Sequence, residues 1–102
     1  MHGDESLSGF VAYNLGIALF QDGRVKEAIE QFDSAGKLQP ADDAGLAIRD
    51  KSNLVLGGML FESGDFERAK QSLDRVRLEG LYSNQALLRA GFADFDLTFR
   101  NF

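Results

Sequence analysis

The chain has no cysteine and no tryptophan, and only one proline and one histidine. Without cysteine there is no disulfide framework and no thiolate metal site, and the redox compartment is left open. The lone histidine, His2, stands in a polar N-terminal stretch with no evident partner for acid–base work. Basic residues are the minority: 11 Lys and Arg against 16 Asp and Glu, for a formal net charge of −5. That balance argues against general nucleic-acid binding, which needs a basic stripe. No apolar run approaches the ~18 residues of a membrane span. The acidic, polar opening "MHGDESLSGF" does not read as a signal peptide.

What is present is helical. At 102 residues the chain has room for one small domain with a modest core. A single proline and few β-branched residues favour helices over strands. Phe10, Tyr13, Asn14, Ile17, Phe20 and Gln21 follow an i, i+3, i+4, i+7 rhythm, and Val25, Ala28, Ile29, Phe32 and Ala35 follow a second one. Asp22-Gly23 lies between them, a pair suited to the left-handed conformation that ends a helix. The spacing predicts a helical hairpin, Ser8–Gln21 and Arg24–Leu38, with Pro40 stopping the second helix. Residues 1–7 are expected to be a disordered or tag-like tail.

The hairpin recurs. Gly57, Gly64 and Ala69 follow Gly16, Gly23 and Ala28 at a constant offset of 41, so "LGGMLFESGDFERAKQSL" repeats "LGIALFQDGRVKEAIEQF". A third copy opens at Ser83 with "SNQALLRAGFADF", and its Gly91 follows Gly57 at an offset of 34. Two antiparallel helices approach closely only where a small residue faces a large one. Gly16 and Ala28 allow that approach and Phe32 fills the space beside them. The Gly57-Gly58 pair is no phosphate loop, because Met59-Leu60-Phe61 follows it rather than Lys-Ser/Thr.

In these residues the chain resembles the tetratricopeptide repeat family, whose helix–turn–helix unit is about 34 residues long. Leu15-Gly16, Ala28, Phe32, Ala35 and Pro40 fall in the family's register, with Leu19 at its tyrosine position and Ala12 at its tryptophan position. In the second unit Leu56-Gly57, Leu60, Gly64, Ala69 and Leu73 fit, while Val76 and Leu81 depart from the alanine and proline. In the third, Leu87 and Gly91 fit, and Ala90 and Asp94 replace the leucine and tyrosine. The resemblance implies an all-α, right-handed α-solenoid of about two and a half units within residues 8–102: about 9–41, 42–82 and a half unit 83–102. The first interval exceeds the family's period by seven positions, roughly 700° of helix, which keeps the helix face. The second unit's first helix is therefore expected to start near Asp43, capped by Asp42 or Asp43. A longer loop over "DDAGLAI" is the alternative.

The resemblance also implies where a partner would bind. In the family the first helix of each unit lines a concave groove. Transferred by register, the groove presents Tyr13, Asn14, Ile17 and Phe20, flanked by Phe10 and Gln21. The second unit adds Lys51, Leu54, Val55, Gly58 and Phe61, with Glu62 beside them. The third adds Leu88, Arg89 and Phe92, with Gln85 and Phe95. This face is mostly apolar and aromatic, and a solvent-facing patch of that kind marks an interaction site. Members that clamp a C-terminal carboxylate use Lys, Asn, Asn, Lys and Arg, and the matching positions here are Tyr13, Ile17, Val55, Gln85 and Arg89. Only Arg89 agrees, so the groove suits an amphipathic helix or an extended apolar segment better.

The chain ends on "FADFDLTFRNF", with Thr98 where a turn glycine is expected. Three accounts stand for this aromatic end: a fragment of a longer array, aromatics packed back onto the groove, or a homodimer through the C-terminal aromatic helix. No catalytic residue, metal site or cofactor is expected. Asp42-Asp43 and the Asp94/Asp96 pair fit capping or solvation, and Ser63 and Ser72 have no base in evidence. Two functions follow as expectations: an adaptor binding another protein or peptide in the groove, or a structural segment whose groove its own or a second chain fills. No membrane insertion is expected, and a soluble bacterial setting, cytoplasmic or periplasmic, is the lean.

Overall fold

The computed structural model describes residues 4–77, and within them the chain is all-helical. The elements are α1 (Asp4–Gln21), α2 (Val25–Lys37), α3 (Asp43–Glu62) and α4 (Phe66–Asp74), with no strand among the described residues. They form two hairpins, α1–α2 and α3–α4, and α3 packs against all three other helices. The expected third unit, 83–102, lies outside the described residues.

Both hairpins turn in the same way. Gly23 and Gly64 hold φ of +79° and +88°, a region that only glycine enters cheaply. In the first turn the Arg24 N–H donates to the Leu19 carbonyl at 2.9 Å and the Gly23 N–H to the Phe20 carbonyl at 3.0 Å. In the second, the Asp65 N–H donates to the Leu60 carbonyl at 2.9 Å and the Gly64 N–H to the Phe61 carbonyl at 3.0 Å. This is the paired 6→1 and 5→2 bonding that satisfies the last carbonyls of a helix.

The small-to-large packing also repeats. A methyl group added at Gly16 would sit 2.7 Å from Cε1 of Phe32, and one added at Gly57 would sit 2.5 Å from Cδ2 of Leu73. Phe32 and Leu73 are themselves related by the offset of 41. Leu19, Ala28, Phe32, Leu56, Leu60 and Ala69 form one core running through both hairpins. Leu54, Leu73 and Val76 form a second cluster between α3 and α4.

Helix boundaries differ from the expectation at both ends of the first hairpin. α2 is one residue shorter at each end, with Arg24 at its N-cap and Leu38 turning extended before the buried Pro40. α1 starts at Asp4 rather than Ser8, so 4–7 of the expected tail are helical. The cause is α3. It begins at Asp43 and not in a longer loop, capped by Asp42, whose carboxylate accepts from the Gly45 N–H at 2.7 Å. The same carboxylate oxygen accepts the buried Ser6 hydroxyl at 2.9 Å. The two extra turns of α3 thus give the start of α1 something to lie against.

A polar seam crosses the helix layer. The fully buried Asn53 donates to the Gly36 carbonyl at 3.0 Å, near the end of α2 where carbonyls lack intrahelical partners. Ser72 donates to the Asn53 carbonyl at 2.8 Å. Gly36 leaves the space that Asn53 occupies, because a β-carbon there would collide with the carboxamide. One turn earlier on α3, the fully buried Asp50 carboxylate accepts from Arg77 Nε at 2.7 Å and from the Arg77 N–H at 3.3 Å. It therefore ties the chain leaving α4 back to α3.

Candidate interaction cleft

Between the two hairpins, at the end where both turns lie, the surface opens into a cleft of about 680 Å³. The C-terminal half of α1 supplies Ile17 and Phe20, and α2 supplies Val25 and Phe32. The C-terminal half of α3 supplies Val55, Gly58, Met59 and Glu62, with Ser63 beyond its end. The helical period explains the selection. Ile17 and Phe20 are one turn apart, as are Val55 and Gly58, so each pair shares one side of its helix. Gly58 leaves the α3 wall without a side chain and deepens the opening.

The walls are apolar and partly wet. Phe20 is 51% exposed, and Val25 at the start of α2 is exposed beside it. Among the described residues of the lining Glu62 is the one that carries a charge, and it is exposed. The Ser63 hydroxyl donates to the Leu60 carbonyl at 2.8 Å, so it is already engaged with the helix end. Burial in such a cleft is worth ~25 cal/mol per Å² of apolar surface removed from water. A carboxylate at the rim adds orientation more than affinity.

The register-derived groove residues separate into distinct roles. Ile17, Phe20, Val55 and Gly58 come together in the cleft. Tyr13 and Lys51 meet at its edge. The Tyr13 ring packs against Phe32 with centroids 5.6 Å apart, and the Lys51 ammonium lies 5.3 Å from the Tyr13 centroid. That distance is within cation–π range. Asn14 is exposed on α1 away from the lining. Leu54 is a correction: it is buried with Leu73 and Val76 between α3 and α4. Leu54 is the offset-41 counterpart of Tyr13 and faces its own hairpin partner just as Tyr13 faces Phe32. Leucine ends inside that seam, whereas tyrosine reaches out of it. Phe61 is half-buried and packs edge-on against Phe66 at 5.1 Å, outside the cleft lining. Leu88, Arg89 and Phe92 lie outside the described residues.

Sequence reasoning missed Val25 and Met59 as lining residues and treated Phe32 as core alone. The missing signal is tertiary. Val25 reaches the cleft because the tight turn folds α2 back beside Phe20. Met59 does so because α3 leans on the first hairpin.

Among the described residues, no three His, Cys, Asp or Glu side chains are grouped to hold a metal ion. No helix among them is long and apolar enough to cross a membrane. No protein-family model, no curated protein and no solved structure matches the chain.

Proposed function

We propose that this chain is a protein-interaction module built on tetratricopeptide-like hairpins, a right-handed solenoid of about two and a half units. It takes an apolar segment or amphipathic helix of another protein into the cleft between its hairpins. The observation that carries the reading is the cleft itself: apolar walls from three helices, with Phe20 half in solvent at its mouth. Support for the repeat comes from the Gly16–Phe32 and Gly57–Leu73 contacts and the two matching turns, all at one offset. A carboxylate clamp is disfavoured, since Tyr13 packs on Phe32 and Ile17 and Val55 are apolar walls. The role is binding without chemistry.

The test is a phage-displayed library of random peptides selected on the whole chain, followed by synthesis of the enriched sequences. Enriched peptides should carry clustered Leu, Phe or Trp and bind with about micromolar dissociation constants. Phe20→Ala should weaken them about tenfold, as truncating a central aromatic contact does, while circular dichroism stays unchanged. Phe20 is the better probe than Phe61, whose contact with Phe66 makes it part of the second hairpin's packing. An unproductive selection, or peptides indifferent to Phe20→Ala, would overturn the proposal.

A further inference from the structure

The two ends of the cleft differ in charge, and one helix sets both. Lys51, Val55, Gly58 and Glu62 are spaced i, i+4, i+7, i+11 on α3, so they share one face of that helix. Val55, Gly58 and Glu62 line the cleft. Lys51 stands at its edge, its ammonium 5.3 Å from the centre of the Tyr13 ring. At ~1.5 Å per residue, the cation and the carboxylate start about 16 Å apart along α3, with the apolar wall between them. Across the cleft, α1 carries no charged residue from Ser6 to Gln21, so nothing on that wall opposes the polarity.

Neither charge is neutralised by the fold. Among the described residues Lys51 and Glu62 form no ion pair. Arg24, at the turn end, is by contrast held by Glu27, with its Nε donating to the carboxylate at 2.8 Å. Asp22 and Lys26 at the same end are opposite in sign and lie outside the lining. The repeat does not require the two charges either. Gly57, Leu60 and Ala69 are identical to their offset-41 counterparts Gly16, Leu19 and Ala28, as a shared packing demands. The counterparts of Lys51 and Glu62 are Phe10 and Gln21, both uncharged.

An occupant of the apolar wall therefore meets a positive charge at one end and a negative charge at the other. Opposite charges on it favour docking and like charges oppose it. A helix lying antiparallel to α3 satisfies both ends. Its N-terminus, the positive end of its macrodipole, comes to Glu62, and its C-terminus comes to Lys51. About three helical turns cover the distance. Given that the cleft binds protein segments, as proposed above, we infer that its partner is a helix with an apolar stripe of about three turns. A basic residue at its N-terminal end faces Glu62, and an acidic residue at its C-terminal end faces Lys51.

The probes are synthetic helical peptides of roughly 16 residues sharing one Leu/Phe stripe. One carries Lys at the N-terminal end and Glu at the C-terminal end, one has these exchanged, and one has Gln at both. Fluorescence anisotropy on the whole chain at low salt should rank the first about threefold tighter than the neutral peptide and about tenfold tighter than the exchanged one. The differences should close at ~1 M salt. Lys51→Glu combined with Glu62→Lys should invert the ranking with unchanged circular dichroism, and Lys51→Arg should keep it. The chain has no cysteine of its own. Ser63→Cys, exposed beside Glu62, should therefore form a disulfide with the first peptide when that peptide carries Cys at its N-terminal end and not at its C-terminal end. Equal affinity of all three peptides, each still weakened by Phe20→Ala, would overturn this polarity and leave the module reading standing. A disulfide from the C-terminal end would overturn the antiparallel direction. Binding by none of the peptides, as when the aromatic C-terminal segment or a second copy fills the cleft, would overturn both.

Discussion

Gly16 illustrates how one missing side chain sets the spacing of a hairpin. The ring of Phe32 fills the space a larger residue would need, and Phe32 is itself fully buried and without room to retreat. Replacing glycine with alanine inside a helix gains about 1 kcal/mol in propensity. Overpacking a rigid neighbour costs about 1–3 kcal/mol. The second effect wins here because Phe32 has no room to retreat, so Gly16→Ala should lower stability by up to about 2 kcal/mol, read as an earlier urea midpoint. An unchanged or later midpoint would mean the hairpin absorbs a methyl group. Leu54 carries a related lesson. Its position matches Tyr13, yet its shorter side chain stops inside the α3–α4 seam, so residue size decides whether one register position reaches out of its own hairpin.

At the scale of the element, α3 and its cap decide where two helices begin. Asp42 holds the first turn of α3 and receives the Ser6 hydroxyl from α1. The Gly45 amide, then Ser6, hold its carboxyl below the ordinary range against a smaller opposing effect of burial. Burial pushes Asp33 up, but hydrogen bonds from Lys37 and Arg75, with their charges, outweigh it and bring that carboxyl down as well. A carboxyl lowered in the folded state adds stability that is fully present above its unfolded value and is lost as pH falls through the folded one. Stability should therefore drop below about pH 4. Asp42→Asn keeps a good capping oxygen but no longer titrates. Its stability near neutrality should stay close to wild type and its acid loss should be shallower, measured by urea unfolding across the acid range. An acid profile identical to wild type would mean Asp42 contributes nothing to it.

Across the whole molecule, α3 is the common neighbour. It is covered by α1 and α2 on one side and α4 on the other, and it carries both the Asn53 and Asp50 polar contacts. Regions with the most buried contacts open only with global unfolding. Native-state hydrogen exchange should accordingly be slowest over Asn53–Gly57 and faster through the first two turns of α1. Protection greatest in α1 of the isolated monomer would contradict this placement of the core.

The helical class, the first hairpin and the repeat at offset 41 were legible in the sequence, because periodicity and turn glycines act between residues close in the chain. The added turns of α3 were legible too, since an insertion of seven preserves a helix face. The helical start of α1 was not, because it depends on Ser6 reaching Asp42 across 36 positions. Nor was the Asn53 seam, whose members lie on three helices and look individually like surface polar residues. For the site, the sequence determined which residues share the cleft-facing side of α1. Tertiary structure alone decided that Val25 and Met59 complete the lining, that Leu54 is withdrawn from it, and that Leu7, Val11 and Leu15 are bare while Leu56 is covered. The reason is physical: a sequence pattern marks a side chain as apolar, and only the packing of distant segments settles which apolar faces have found a neighbour.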